Sequence, residues 1–246
     1  FAPKTRFRYP DKMWNGRLTL GEFWATYVGP SDQNSPHAHV AVQLALGIGE
    51  DVTVRVGRRR LKARGVLIRP LTTHTVAAGL QVALVYVEPQ ASLGRALVQA
   101  LGGRVAMPLP PEVVHATSHL DDPVALMSRL AAALGLEPRA ALDARLAQAL
   151  EVLERSVGAA GAIADAAHDA GLSTPRLRAL ASEQLGAPLA RWVLWRKLER
   201  AGRSLARGAS LAEAAADGAF ADQAHLARTM RRMFGVTPRV AARVLR

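Results

Sequence analysis

The chain has 246 residues, half of them hydrophobic and 21% charged, which suits one large or two small folded domains and excludes wholesale disorder. Its 32 lysines and arginines against 20 acids leave a formal charge of +12, which points to a polyanion partner, nucleic acid ahead of a membrane surface. Cysteine is absent, so disulfides, cysteine zinc sites and thiol nucleophiles are excluded, and no apolar run nears the ~18–20 residues of a membrane span.

The sequence opens at Phe1-Ala2-Pro3-Lys4 with neither an initiator Met nor a signal-peptide core, and the natural N-terminus is expected upstream. Short alternating runs follow at 16–28, 37–46, 52–56, 66–69 and 82–87, punctuated by Gly, Pro, Asn and Asp. That is the pattern of an antiparallel β-structure, closed or sandwiched. Arg55, Arg58, Arg59, Arg60, Lys62 and Arg64 read as a hairpin turning at Gly57-Arg58. Leucines at 93, 97 and 101, and again at 126, 130 and 134, give helices over 92–102 and 123–135, the second opened by Asp121-Asp122. The run Gly135-Leu136-Glu137-Pro138 ends the first domain, because Gly closes a helix and Pro cannot continue one. From 139 the chain is helical throughout, with 17 basic and 10 acidic side chains against 15 and 10 in residues 1–138.

The helical half contains a tandem unit. Ser173 and Asp222, Leu177 and Leu226, and Gly186 and Gly235 are each 49 residues apart, and Pro188 and Pro238 follow the two glycines. In the first unit a helix ends at Gly171 and the next opens at Ser173 with Pro175 in its first turn, which is helix-turn-helix spacing. Leu177, Leu180 and Leu185 are expected to face the core, leaving Arg178, Ala179 and Ser182 outward. The second unit opens with a capping box, Ser210 to Glu213, and its second helix runs from Asp222 to Phe234. There Leu226, Met230, Met233 and Phe234 turn inward, while Gln223, Ala224, Ala227, Arg228 and Arg231 turn outward. Arginine and glutamine carry base-reading chemistry, and a hydroxyl can hold a phosphate. Between the units, residues 188–206 form a helix of about 28 Å, close to the ~34 Å between successive major-groove faces. Trp192 and Trp195 are read as packing residues.

Residues 139–246 resemble the AraC/XylS family of bacterial transcription regulators. The run from Ala219-Phe220 through Asp222-Gln223, His225-Leu226 and Arg228 to Phe234-Gly235 and Pro238 is similar to the signature of that family's second helix-turn-helix. Asp143-Ala-Arg145-Leu146 resembles its first helix and Arg196-Lys-Leu-Glu-Arg-Ala201 its linker helix. Ala219 replaces the usual Gly, Ala214 a bulky aliphatic, and Val240, Ala241 and Ala242 stand where an aromatic is usual, so the second unit is expected to pack more loosely. The resemblance implies double-stranded promoter DNA and RNA polymerase as partners, activation more than repression, a homodimer, and a cytoplasmic, non-membrane location; the 123–135 leucines either pack on the barrel or form the face of that dimer. The expected DNA-contacting set is Arg176, Arg178, Ser182, Arg196, Gln223, Arg228 and Arg231.

The first half is similar to a cupin barrel through His37-Ala-His39 with Gln43 and through the run from Gly65 by Pro70 to His74. His37, His39 and Gln43 are expected to share one strand face. Gln43 stands where metal-binding cupins have a carboxylate, and a neutral amide is a poor divalent ligand, so neither metal, cofactor nor catalytic residue is expected. Trp24, His37, His39, Gln43, His74 and Tyr86 are instead the expected lining of an effector pocket, its ligand polar or anionic given the basic hairpin nearby. The expected architecture is α+β: a cupin-like β-barrel with flanking helices over 1–138 and an all-α double helix-turn-helix domain over 139–246. A metal-dependent cupin enzyme with a DNA-binding appendage, or a ligand-independent co-regulator, are the alternatives.

Overall fold

The computed structural model describes residues 14–117, 119–135 and 141–245. The opening segment, and the domain boundary expected at 138–139, fall outside these residues. The described part of residues 1–138 is β-rich and that of residues 139–246 is helical, a two-domain α+β architecture.

Among the described residues, nine strands make two antiparallel sheets. The larger has the order β1 (Arg17–Leu20), β2 (Trp24–Pro30), β8 (Gln81–Val87), β3 (Val42–Gly47), β6 (Gly65–Ile68) and β9 (Ala106–Pro108). The smaller has β5 (Arg59–Ala63), β4 (Val52–Val56) and β7 (His74–Val76). Every residue of β3 is buried, which its sequence VQLALG explains once both faces are covered. Val42, Leu44 and Leu46 turn to a layer of helices, α1 (Ser92–Ala100), α2 (Pro111–Ala116) and α3 (Pro123–Ala133). Gln43 and Ala45 turn to the smaller sheet, where Val52, Val54 and Val76 meet Val66, Ile68 and Leu84.

Of the two roles open to the 123–135 leucines, packing on the β-domain or against a second copy, the first is the one taken. Leu126 and Leu130 are buried against the back of the large sheet with Leu97, Leu101 and Val113. Asp122 caps that helix, accepting from Val124 N and Ala125 N.

The helical half runs α4 (Ala144–Arg155), α5 (Ala162–Asp169), α6 (Thr174–Leu185), α7 (Leu189–Ala206), α8 (Leu211–Asp217), α9 (Gln223–Phe234) and α10 (Pro238–Val244). Its helix ends are set by the expected residues. Ser173 accepts from Arg176 N, Asp222 from His225 N, and Ser210 with Glu213 closes a full capping box. Gly186 and Gly235 end α6 and α9 in the left-handed conformation. Helix α7 serves two cores. Leu189 and Trp192 join the first unit, with Leu146, Leu153, Leu177 and Leu185. Trp195, Leu198, Ala201 and Leu205 join the second, with Leu226, Met230 and Met233, in a core continuous with that between the two sheets.

Candidate DNA interface and interdomain cavity

On α6, Leu177, Leu180, Ala181 and Leu185 are buried, and Arg176, Arg178, Ala179 and Ser182 are exposed. On α9, Leu226, Thr229, Met230 and Met233 are buried, and Gln223, Ala224, Arg228 and Arg231 are exposed. Two helices, each the second of a helix-turn-helix, thus present guanidinium and amide groups to solvent. Arg196 departs from this set. The sequence reading placed it at the DNA face, but it is 8% exposed and lies between the domains. Its Nη1 donates to both oxygens of Glu88 at 3.0 and 2.9 Å, and its Nη2 to Glu154 Oε1 at 3.0 Å. It also pairs with Glu199 one turn on. The reason is its position: α7 points this side chain at the Glu88 that ends β8, so the motif's arginine is committed to interdomain packing.

Glu88 was missed by sequence reasoning. An acid directly after the apolar run Val82–Val87 was the available signal. Burial pushes its carboxyl above the usual carboxylate range, the Arg196 charge pulling it back and Glu199 pushing the same way as burial. Burial also works against the Arg196 charge, but Glu88, Glu154 and Glu199 outweigh it and hold its pKa above the ordinary value. Further bonds cross the same junction. Trp192 Nε1 donates to Gln90 Oε1 at 2.9 Å, Arg203 Nη2 to Gly21 O at 2.9 Å, and Ser35 N to Gly235 O at 3.0 Å. At Gly235 a Cβ would stand 2.5 Å from Ser35 O, so this position needs glycine for its left-handed φ and for the approach of the β-domain alike.

A cavity of about 140 Å³ opens beside this junction. The β-domain contributes Trp14, Trp24, Tyr27, Tyr86 and Glu88; the helical domain contributes Trp195, Leu198, Glu199, Met230 and Phe234. Of the expected pocket residues, Trp24, His37, Gln43 and Tyr86 line it, while His39 and His74 lie behind. The basic hairpin is not part of the wall, and among the described residues no Lys or Arg is.

The three histidines meet as expected, by another route. Residues 37–39 are not a regular strand. A single backbone bridge joins His37 to His74, N to O at 3.1 Å one way and 3.0 Å the other. Each ring's Nδ1 faces a backbone oxygen, of Ser35, Ala41 and Thr72, at 2.9, 3.0 and 2.8 Å. That makes Nδ1 the protonated nitrogen and Nε2 an acceptor. Gln43 Oε1 stands 2.9 Å from His39 Nε2 and 2.8 Å from His74 Nε2, while its Nε2 is buried without a partner. Turning the amide end for end supplies two N–H donors to two acceptors. One nitrogen from each ring lies within 4.8 Å of the others, the grouping of a metal site, and two of the rings, His39 and His74, share the Gln43 amide. Burial lowers all three pKa values, that of His39 to about 3, so the rings are neutral at neutral pH.

Residues 166–243 match the helix-turn-helix domain family. The fold as a whole is similar to that of ToxT from Vibrio cholerae O395, at 9% identity and a TM-score of 0.60 over 91% of this chain and 98% of that one. A ToxT from strain SCE256, crystallised with an unsaturated fatty acid bound, gives 10% identity and a TM-score of 0.57 over 89% and 95% of the two chains. An AraC-type regulator from Chromobacterium violaceum aligns at 25% identity over 40% of this chain and 88% of that one, with a TM-score of 0.38. No curated protein sequence matches the chain. The C-terminal domain is therefore an AraC-type helix-turn-helix domain. The chain that carries it is a DNA-binding transcription regulator.

Proposed function

We propose that this regulator binds double-stranded promoter DNA through α6 and α9, and that a small molecule in the interdomain cavity sets how the two helices are presented. One observation carries the reading: the inner face of α9, through Met230 and Phe234, is itself a wall of the cavity. Anything that fills or reshapes the cavity has differential contact with the position of a recognition helix, which is the condition for a ligand to shift an equilibrium. Arg176, Arg178 and Ser182 on α6, and Gln223, Arg228 and Arg231 on α9, are the DNA-contacting residues of this reading. ToxT, crystallised with fatty acid and with a naphthalenyl butenoic acid, supplies a precedent for a ligand in this fold.

The β-domain is read as cupin-like, built on two facing sheets around the His37, His39 and His74 cluster. The cluster serves as a neutral hydrogen-bonded core, without a catalytic metal or enzymatic role. Among the described residues no helix is long and apolar enough to cross a membrane. A cytoplasmic location follows from the family resemblance. RNA polymerase as partner, activation and a homodimer follow from the family resemblance, and the dimer face must lie elsewhere than the buried Leu126 and Leu130.

Selection of binding sites from random duplexes by the full chain, repeated across salt concentrations, tests the DNA reading. A defined motif, with affinity falling linearly in log salt, is expected. Absence of any enriched motif at low salt would refute it. Elemental analysis should find less than stoichiometric metal, and chelation should leave the thermal midpoint in place.

A further inference from the structure

The cavity has an unusual wall for a chain so poor in aromatics. Among the described residues, six aromatic side chains line it: Trp14, Trp24, Tyr27, Tyr86, Trp195 and Phe234. Aromatic faces carry negative electrostatic potential and attract cations, most strongly where water is excluded. Among the described residues, the only acidic or basic side chains on the wall, apart from the neutral imidazole of His37, are Glu88 and Glu199.

The counter-charge lies behind the wall and falls short. Arg196 serves Glu88, Glu154 and Glu199, and of these acids Arg203 pairs with Glu199, at 2.8 Å. These ion-paired groups comprise three carboxylates and two guanidiniums. Buried Glu199 Oε2 touches Arg196 as an ion pair but accepts no hydrogen bond, so it retains room for a donor. At about 140 Å³ the space is close to that which takes up a single benzene ring.

Resting on the effector reading above, we propose that the interdomain cavity binds a small ring-bearing amine in its cationic form, its ring among the aromatic residues and its ammonium directed at Glu199 and Glu88. A carboxylate ligand would be driven against two acids in a water-poor space, and an uncharged one would leave Glu199 Oε2 without its donor.

Benzylamine, benzyl alcohol and benzoate are near-isosteric probes that differ in charge. With the full chain, tryptophan fluorescence and thermal shift should show benzylamine binding about tenfold or more tighter than either other probe. Glu199→Gln should abolish that preference. If this variant does not fold, a pH series on the unmodified protein decides: benzylamine binding should fade as the amine deprotonates, and benzyl alcohol binding should not. Equal or tighter binding of benzoate or benzyl alcohol would overturn the amine proposal and leave the effector reading standing. Failure of all three probes to bind at millimolar concentration would also overturn it. The effector reading then has its own test in Leu198→Trp, which fills the cavity; unchanged promoter binding by that folded variant would sink it.

Discussion

The two helix-turn-helix units repeat the same sequence plan at a spacing of 49 residues, yet they stand differently in the molecule. The first closes its own core from α4, α5, α6 and the start of α7. The second shares a core with the β-sheets, and the end of its recognition helix is bonded to the Ser35–Ala38 segment of the β-domain. Equal motifs therefore do not imply equal roles. In the function proposed above, the first unit is the fixed reader of DNA and the second couples that reading to the state of the β-domain.

The sharpest way to break this contrast is to remove Arg196. Arg196→Met should cost roughly 3–5 kcal/mol in urea unfolding, because it strands Glu88 in the interior. Adding Glu88→Gln should recover much of that loss. If the single variant unfolds with no loss, the junction is not the tie described here.

Acid should act on the same side of the molecule. The histidine pKa values lie below their unfolded value of 6.5, so the unfolded chain binds more protons in that window. Stability present above pH 6.5 is then lost as pH falls, by roughly 1.4 kcal/mol per pH unit for each histidine still neutral in the fold. Thermal midpoints between pH 7 and 4.5 should show a steep fall that is shallower in His74→Gln.

DNA readout sharpens the comparison next. Arg178→Ala should relax preference at one or two base pairs at a cost of roughly 1–3 kcal/mol. Arg228→Ala should weaken binding more evenly, since Ala224 and Ala227 give α9 little else to read bases with. A selection in which Arg228→Ala changes base preference more than Arg178→Ala would reverse the ranking of the two units.

The smallest effect is expected at Ala219, which holds φ +53 between α8 and α9. Left-handed backbone costs a residue with a Cβ about 1–2 kcal/mol. Ala219→Gly should therefore raise the unfolding free energy by about 1 kcal/mol, provided the native turn is unchanged. A drop instead would mean that the alanine methyl packs to more effect than the backbone is strained.

Local chemistry was legible in the sequence. The caps at Ser173, Ser210 and Asp222, the left-handed glycines, and the inward stripes of α6 and α9 all follow from patterns within one or two turns. The histidine cluster was legible as a set of residues but not as a geometry, since a bridge between His37 and His74 replaces the strand that alternation suggested. What sequence could not give was pairing across about a hundred residues. Arg196 looks like an exposed helical arginine until Glu88, Glu154 and Glu199 are placed around it. The cavity, likewise, exists only where two domains meet.

Helix α7 carries Trp192 in one core and Trp195 in the other, three residues apart on one uninterrupted rod. Adding or deleting a single residue between them would turn everything beyond it by roughly 100° and shift it by about 1.5 Å. The two reading heads would then fall out of phase with the double helix, and Arg196 would swing away from its acids. An exposed loop absorbs a change of length at a cost of a few tenths of a kcal/mol or so, whereas this stretch behaves as a gauge block whose residue count is fixed.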